Sequence, residues 1–439
     1  MTEASAIDEA AAAASRAPVP ARQIAAAVAG NALEFYDFTT YALFAAALGH
    51  AFFPAHTAFE SLMLSLLTFA AGFASRPVGA LVIGLIGDRL GRKPAMLLSF
   101  GLMGLGMLGL VLIPPYAVIG PAAPVLLVLC RLIQGFALGG EVGPTTAFLI
   151  EAAPRRRRGL IGSWQSASQS VASLMGAVIG LVLARLLTPA ELDAFGWRIA
   201  FGFGVLVLPF GLWLRRTLPE TLHRQTDAAA GPSPDWTVHV RPMLLGLMLI
   251  ASFTTSTYVL LNMTTFASQT LHMGQKASFA ASIANGVSGI VFTLLGGALS
   301  DRLGRRPVMI TSRTLFLLCT LPAFLLIVHF HDGLTVSLCT GVMSAFSSMS
   351  VGAALVAMSE SMRMEMRSTG LAVIYALGVT VFGAAAQPSV TWLIKATGSP
   401  MAPAWYMMAA ALVGIIAMWL MPETRPTPAL VKAAPLELA

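Results

Sequence analysis

The sequence predicts an all-α integral membrane protein with twelve transmembrane helices in two parallel six-helix repeats. Of its 439 residues, 56% are apolar and only 11% are charged, whereas about a quarter of the residues of a soluble protein are charged. Apolar runs of about 20 residues, the length that crosses a bilayer as a helix, recur along nearly the whole chain. One ten-residue phrase also occurs twice, about half a chain apart, which indicates two similar halves.

The apolar runs predict the twelve spans directly. Backbone groups in lipid must hydrogen-bond within the protein, so spanning segments form helices or closed barrels. A barrel strand needs only about 9–11 residues, and the runs are much longer than that. They therefore predict helices, at 22–49, 61–86, 95–114, 122–150, 160–187, 197–215, 242–268, 277–299, 307–329, 335–358, 369–396 and 403–421.

The repeated phrase reads GLIGDRLGRK at 84–93 and GALSDRLGRR at 297–306. Each copy places an acid and several basic residues between two apolar runs, so each predicts a short aqueous turn. Asp88 and Asp301 fall near the negative C-terminal ends of their helices, where an acid requires a nearby cation or another helix's N-terminus.

A second repeat supports the division into halves. Glu151 and Arg158 flank the turn after the fourth run, and Glu360 and Arg367 flank the turn after the tenth run with the same spacing. Both copies run in the same sense relative to the membrane, which indicates parallel repeats.

The halves are joined by the longest internal polar stretch, which is rich in Pro and charged residues. We expect a cytoplasmic tail at 1–21, a first half at 22–215, a linker at 216–241, a second half at 242–422 and a second tail at 423–439. The first tail is Ala-rich and polar, which predicts disorder and not a signal peptide. Lys and Arg concentrate on the side that holds both termini, which predicts that this side is cytoplasmic.

Several other functions are disfavoured by the sequence. The net charge of +7 follows the positive-inside pattern, so it indicates topology and not nucleic-acid binding. The three cysteines lie in apolar runs and are interpreted as core residues without disulfides. No histidine has a metal-ligand spacing, and no nucleotide motif is present. We therefore expect no enzyme activity, no metal, no cofactor and no nucleotide.

Five charged residues interrupt the apolar runs of the first half, namely Glu34, Asp37, Arg76, Arg131 and Glu141. Each costs about 2.5–3.5 kcal/mol at a helix centre on insertion scales, so unpaired charges at all five positions would cost about 12–18 kcal/mol. They are expected to face a cavity, to pair with one another or to bind a ligand. The second half is expected to hold no comparable deep charge, with Arg313 and Glu360 near helix ends.

These motifs together resemble a known family. The repeated GxxxDRxGR[KR] phrase is typical of the major facilitator superfamily. NALEFYDF at 31–38, RPVG at 76–79 and RLIQGF at 131–136 with Glu141 resemble its metabolite:proton symporter family. SWQSASQ at 163–169 and TTSTY at 254–258 are most similar to the citrate and tricarballylate branch.

The resemblance implies a monomeric, proton-coupled symporter of a bacterial inner membrane, which imports citrate or a related tricarboxylate by alternating access. Asp37 and Arg131 match the coupling pair of related sugar:proton symporters, and Glu34 lies on nearly the same helix face as Asp37. The alternative is a structural ion-pair network. Glu141 is either a second proton site or a hydrogen-bonding group within the bundle. Arg76 is interpreted as a structural or gating residue, and the alternative is a residue that binds substrate.

The resemblance also implies that the turn clusters latch the halves together on the cytoplasmic side, whereas the alternative is a solvated turn. The latch candidates are Gly84, Asp88, Arg89, Gly91, Arg92, Glu151, Arg158, Asp301, Arg302, Gly304, Arg305, Glu360 and Arg367.

Polar residues in the fifth and seventh runs predict a hydroxyl- and amide-lined substrate cavity. The alternative for any one of them is packing against helix backbone. The substrate candidates are Asn31, Arg131, Gln165, Ser168, Gln169, Thr254, Thr257, Tyr258, Asn262 and Tyr375. Alternative substrates are a betaine- or proline-like zwitterion, shikimate or a dicarboxylate. A sensor on the same fold is a third hypothesis.

Overall fold

The computed structural model describes residues 21–90, 92–139, 149, 153–154, 157–216, 236–361 and 367–424. Within these ranges the protein is helical and contains no strand. We number the helices α1–α12 after the twelve predicted spans, and two segments of one interrupted span share a label.

The first six are α1 (Ala21–Leu43 and Ala45–Phe52), α2 (Ala58–Ala74 and Arg76–Leu90), α3 (Arg92–Leu112), α4 (Ala122–Gly139), α5 (Arg158–Leu186) and α6 (Trp197–Arg216). The second six are α7 (Trp236–Leu261 and Met263–Thr265), α8 (Gln275–Leu303), α9 (Arg305–Phe330), α10 (Gly333–Glu360), α11 (Arg367–Gly378 and Ala384–Thr397) and α12 (Ala402–Leu420).

The lengths and compositions of these helices suit a bilayer. In the described part of the chain, nine helical segments are long and apolar enough to cross a membrane, and α3 carries a shorter apolar stretch at Leu97–Leu112. The predicted linker lies largely at 217–235, outside the described residues. The helix that follows it begins at Trp236, ahead of the predicted boundary at 242.

Four spans are interrupted, namely α1 at Phe44, α2 at Ser75, α7 at Asn262 and α11 at Val379–Gly383. The first segment of α2 ends at Ala74, and its Ser75 hydroxyl donates to the carbonyls of Gly72 and Leu132. Single π turns follow α7 at Phe266–Thr270 and divide α11 at Val379–Gly383. Such turns are frequent at functional sites because they leave backbone groups outside the regular ladder.

Glycines allow the first-half helices to pack at backbone distance. Where α2 crosses α4, a Cβ atom at Gly135 would overlap the carbonyl of Gly72, and one at Gly139 would overlap the carbonyl of Arg76. Helices associate closely in membranes through such small residues, because lipid-exposed apolar side chains give no hydrophobic drive between helices.

The two halves meet along α5 and α8 and along α2 and α11. A Cβ atom at Gly159 of α5 would collide with the carbonyl of Gly297 in α8. Near the middle of the protein, the ring of Tyr258 from α7 lies 5.7 Å from that of Phe38 and 5.5 Å from that of Phe73, both in the first half. The Thr380 hydroxyl donates to the Phe73 carbonyl at 3.2 Å.

Gly135→Ala is expected to lower the stability of the protein by about 1–3 kcal/mol, because overpacking forces the helices apart. Gly101→Ala is the matched control, since a Cβ at that position meets no described atom of another helix within 4 Å. The control should leave stability unchanged or raise it by up to about 1 kcal/mol through helix propensity. Thermal unfolding of the purified protein in detergent measures both, and equal melting temperatures for the two variants would contradict the close crossing.

Candidate functional site

The structure brings Asp37 of α1 together with Arg131 of α4. An Arg131 guanidinium nitrogen donates to Asp37 Oδ2 at 2.9 Å and to Gln134 Oε1 at 2.6 Å. The Gln134 amide in turn donates to Asp37 Oδ1 at 2.9 Å. The three side chains therefore form a closed triangle, in which each oxygen of the carboxylate has a donor.

This triangle is isolated from water. The side chains of Asp37 and Arg131 are each only 1% exposed. The Arg131 guanidinium lies 4.5 Å from the ring centre of Tyr41, 5.6 Å from that of Phe38 and 5.8 Å from that of Phe69. Removal of one partner from such a pair leaves a buried charge without compensation, which is strongly unfavourable. A change in the charge of either side chain is therefore expected to alter the stability of the whole pair.

Two other acids were predicted for this region. Glu34 is buried on α1, one turn before Asp37. Glu141 lies outside the described residues.

A cavity of about 100 Å³ lies between the two halves. The first half contributes residues of α1 and α5, and the second half contributes residues of α7, α8 and α10. None of the described lining residues is charged. They are Phe35, Phe38, Thr39, Ser166, Gln169, Ser170, Ser173, Thr257, Tyr258, Leu260, Leu261, Asn285, Gly286, Thr293, Ser344, Ser347, Ser348 and Val351.

Three predicted substrate residues line this cavity, namely Gln169, Thr257 and Tyr258. The Gln169 amide also lies 3.5 Å from the hydroxyl of Tyr375, which connects α5 to α11. These four side chains place amide and hydroxyl groups from both halves in one region.

Other substrate candidates serve contacts between helices. The Asn31 amide donates to Ser168 Oγ at 2.6 Å and to the Gln165 carbonyl at 3.1 Å. These contacts use the face of α5 that packs on α1. The cavity is lined by the neighbouring face, at 166, 169, 170 and 173, because helical spacing places these four positions together.

The remaining substrate candidates also lie outside the cavity lining. Arg131 belongs to the ion triangle. Thr254 is buried beside Gly383 of the divided α11, and Asn262 is buried at the interruption of α7.

The expectation that the second half holds no deep charge is wrong. Arg313 is fully buried in the third turn of α9. Its guanidinium donates to Ser252 Oγ at 2.7 Å and to Ser256 Oγ at 2.7 Å, both on α7. It also donates to the cavity-lining Ser347 of α10 at 3.3 Å. Arg313 is near the start of its helix in the sequence, but α7, α10 and α12 pack around it and bury it.

Arg76 is buried at the interruption of α2. Its guanidinium lies 4.1 Å from the ring centre of Phe73 and 4.8 Å from that of Phe38, and the Tyr258 hydroxyl is its polar neighbour in the second half. Nε and one terminal nitrogen have no hydrogen-bond partner within the described structure.

The family model described as "Sugar (and other) transporter" matches residues 23–230 and 233–428. The chain belongs to this family. A citrate-proton symporter of Salmonella typhi is 36% identical over 88% of this chain and 91% of its own length. A proline/betaine transporter of Salmonella typhimurium is 31% identical over 93% of this chain and 84% of its own. A crystal structure of a D-xylose-proton symporter matches with a TM-score of 0.74 at 19% identity, over 92% of this chain and 98% of that one.

These findings confirm the predicted superfamily and fold. The protein is a multi-pass membrane transporter of the major facilitator superfamily, and it is not an enzyme.

At one end of the transporter, Asp301 of α8 binds the N-terminus of α5 from the other half. Its carboxylate accepts the backbone N–H groups of Gly159 at 2.8 Å and Leu160 at 3.0 Å. The Arg305 guanidinium donates to the same carboxylate at 2.7 Å and to Glu360 of α10 at 3.3 Å. This arrangement meets both electrostatic needs of an acid at a helix C-terminus, since it supplies a cation and another helix's N-terminus.

The other latch candidates are only partly described. Arg302 is exposed, and Gly304 connects α8 to α9 with a φ of 111°. Arg158 begins α5. Gly91 and Glu151 lie outside the described residues, as do the surroundings of Gly84, Asp88, Arg89, Arg92 and Arg367.

The halves also touch at the opposite end of the cavity. The Phe279 ring of α8 lies 5.4 Å from that of Phe44 and packs where a Cβ atom at Gly180 of α5 would stand. Lys395 Nζ of α11 lies 3.9 Å from the ring centre of Phe59 in α2. The cavity is therefore bounded by contacts between the halves at both ends.

Asp301→Asn is expected to favour opening at the α5–α8 end by about tenfold, because bonds from charged carboxylates are worth about 1.5–3 kcal/mol and tenfold corresponds to about 1.4 kcal/mol. Spin labels at the exposed positions 157 and 303 would report longer distances by pulsed electron resonance. Asp332→Asn is the matched control, because Asp332 caps α10 within one half by accepting from Leu334 and Thr335. An unchanged distance distribution in Asp301→Asn would contradict the latch.

Proposed function

We propose that this transporter is a proton-coupled symporter that imports citrate or a related tricarboxylate by alternating access. The observation that carries the proposal is the buried Asp37–Arg131 pair beside a polar, uncharged cavity between the halves. Proton binding to Asp37 can change the net charge of such a pair while both side chains stay shielded from bulk water.

The coupling follows from charge balance. While Asp37 is ionised, it neutralises Arg131 and accepts from Gln134. Protonation of Asp37 removes the negative charge and leaves Arg131 uncompensated in the first half. A buried cation attracts an anion strongly at low dielectric, so proton binding and anion binding favour each other. Proton release toward the cytoplasm then restores the pair and weakens the hold on the anion.

The membrane potential requires that inward movement of an anion be coupled to inward movement of cations. Each negative charge moved inward against an inside-negative potential costs about 2.3 kcal/mol per 100 mV. A tricarboxylate therefore enters only with enough cations to offset its charge. Protons are the cations that Asp37 and Glu34 can carry.

The relatives and the cavity support the substrate class. One relative over most of the chain is named a citrate-proton symporter. Hydroxyl and amide groups of Ser166, Gln169, Thr257 and Ser344 line the cavity, and these groups donate hydrogen bonds to carboxylates.

A zwitterion such as betaine is the second candidate. The rings of Phe35, Phe38 and Tyr258 line the same cavity, and aromatic faces bind quaternary ammonium groups. A relative of similar coverage is named a proline/betaine transporter. Shikimate and dicarboxylates remain further outcomes of the test below.

The direction of import rests on the distribution of basic residues. We place both termini and the linker in the cytoplasm of a bacterial cell and the protein in its inner membrane, because Lys and Arg concentrate on that side. Asp301 and the start of α5 then form the cytoplasmic latch. We propose that the transporter acts as a monomer.

Uptake into proteoliposomes tests the proposed function. With an acidic outside pH and an inside-negative potential, citrate and tricarballylate should accumulate, and a protonophore should abolish accumulation. A dicarboxylate, shikimate and betaine serve as comparison substrates. Uptake of betaine without uptake of citrate would overturn the substrate assignment.

Asp37→Asn is expected to lose proton-driven accumulation at least about tenfold while it retains citrate exchange between preloaded vesicles and medium, because exchange needs no net proton movement. Asp193→Asn is the control, since Asp193 is an exposed partner of His50 far along the chain from the triangle. Full accumulation by Asp37→Asn would show that Asp37 does not couple the proton.

A further inference from the structure

Arg313 is a buried cation without a counter-ion among the residues that the structure describes. All of its hydrogen bonds go to neutral oxygens, namely the hydroxyls of Ser252, Ser256 and Ser347 and the carbonyl of Ser252. Its Nε has no hydrogen-bond partner in the part of the chain that the structure describes. No carboxylate of the described residues forms an ion pair with it. Two other buried arginines, Arg131 and Arg305, form ion pairs with carboxylates.

The surroundings of Arg313 are built to keep its charge in place. Two ring faces lie beside its guanidinium, with centres at 5.2 Å for Phe253 and 4.6 Å for Phe316. Gly414 of α12 makes room for Ser252, a hydrogen-bond partner of Arg313, because a Cβ atom there would overlap Ser252 Oγ. An expensive charge held by this many contacts indicates a function beyond packing.

Ser347 connects Arg313 to the cavity. Its hydroxyl accepts from Arg313 at 3.3 Å, and the same residue lines the cavity on α10. Arg313 therefore lies one side chain behind the cavity wall of the second half.

Arg76 has the corresponding place in the first half. It lies behind Phe38, which lines the cavity, and it forms no ion pair with any carboxylate that the structure describes. Two cations that have no counter-ion among the described residues therefore flank this cavity from opposite halves.

We propose that Arg313 is a specificity-determining residue of the transport site. Together with Arg76, it makes the cavity select ligands that carry two or more carboxylates. The ligand supplies the missing negative charge to both halves at once, so its binding also draws the halves together. Since a zwitterion would place its ammonium near two cations, this arrangement disfavours betaine-like ligands.

This inference rests on the proposed function only in placing the substrate in the cavity, and binding can test it without transport. Tricarballylate, glutarate and butyrate carry three, two and one carboxylates on short saturated chains. Their dissociation constants can be measured by thermal stabilisation of the full-length protein in detergent. Wild-type affinity should rise with each added carboxylate.

Arg313→Gln should weaken tricarballylate binding by about tenfold or more, since bonds to charged groups carry that much affinity, and butyrate binding by less than about threefold. Arg313→Lys keeps the charge and should retain the dependence on carboxylate number. Arg76→Gln should reduce the gain in affinity with each added carboxylate, as Arg313→Gln does. Arg241→Gln is the matched control, because Arg241 is exposed and its hydrogen bond within the described structure goes to the Leu420 carbonyl.

Equal affinity of the wild type for all three acids, or preference for betaine, would overturn the proposal. The proposal would also be overturned if the affinity of Arg313→Gln rose with carboxylate number as steeply as that of the wild type. If Arg313→Gln does not fold, loss of the charge dependence in folded Arg313→Lys would overturn it, and retention would support it. A protein that binds tricarballylate in this charge-dependent way without accumulating citrate would refute the proposed coupling and leave the role of Arg313 intact.

Discussion

Charge that is buried in a low-dielectric interior must be compensated, and this constraint organises the transporter. Most of the chain satisfies it by avoiding charge, since only 11% of its residues are charged. The exceptions are few and differ in how they are balanced. Asp37 and Arg131 balance each other, Arg305 is balanced by Asp301 and Glu360, and Arg76 and Arg313 have no acidic partner in the described structure.

These three kinds of balance suit three tasks. A closed pair such as Asp37–Arg131 can be switched by one proton. A contact between the halves, such as that of the Asp301 carboxylate with the start of α5, stabilises one conformation. The protein can leave this conformation when the contact breaks. A cation without an acid is completed by a ligand. Alternating access then requires that ligand binding and proton binding change each other's affinity, and that both change the stability of the contacts between the halves.

Much of the fold could be predicted from the sequence, because the length and apolar character of each run determine whether it spans a bilayer. The interruptions at Asn262 and Val379–Gly383 could not be predicted, since they depend on packing of α7 against α11. The pairing of Asp37 with Arg131 was foreseeable because neither charge is tolerable alone. Gln134 belongs to the same sequence motif as Arg131, but its bridging amide depends on how α1 and α4 approach.

The cavity residues and Arg313 show where sequence reasoning reached its limit. Helical spacing places Gln165, Ser168 and Gln169 on one side of α5, but only the three-dimensional packing decides which face of α5 meets α1 and which faces the cavity. For Arg313, the available signal was indirect. Ser252 and Ser256 lie one turn apart on α7, and the hydroxyls of both accept hydrogen bonds from Arg313. Two hydroxyls at this spacing in an apolar helix indicate a buried polar side chain nearby.

The coupling of proton and anion through Asp37 can be measured as proton uptake on substrate binding, when citrate is added at matched pH to purified protein in weakly buffered detergent solution. We expect the medium to become more alkaline, by about one proton per bound citrate, because an anion in the cavity favours protonated Asp37. Citrate binding with no proton uptake at any pH would contradict it.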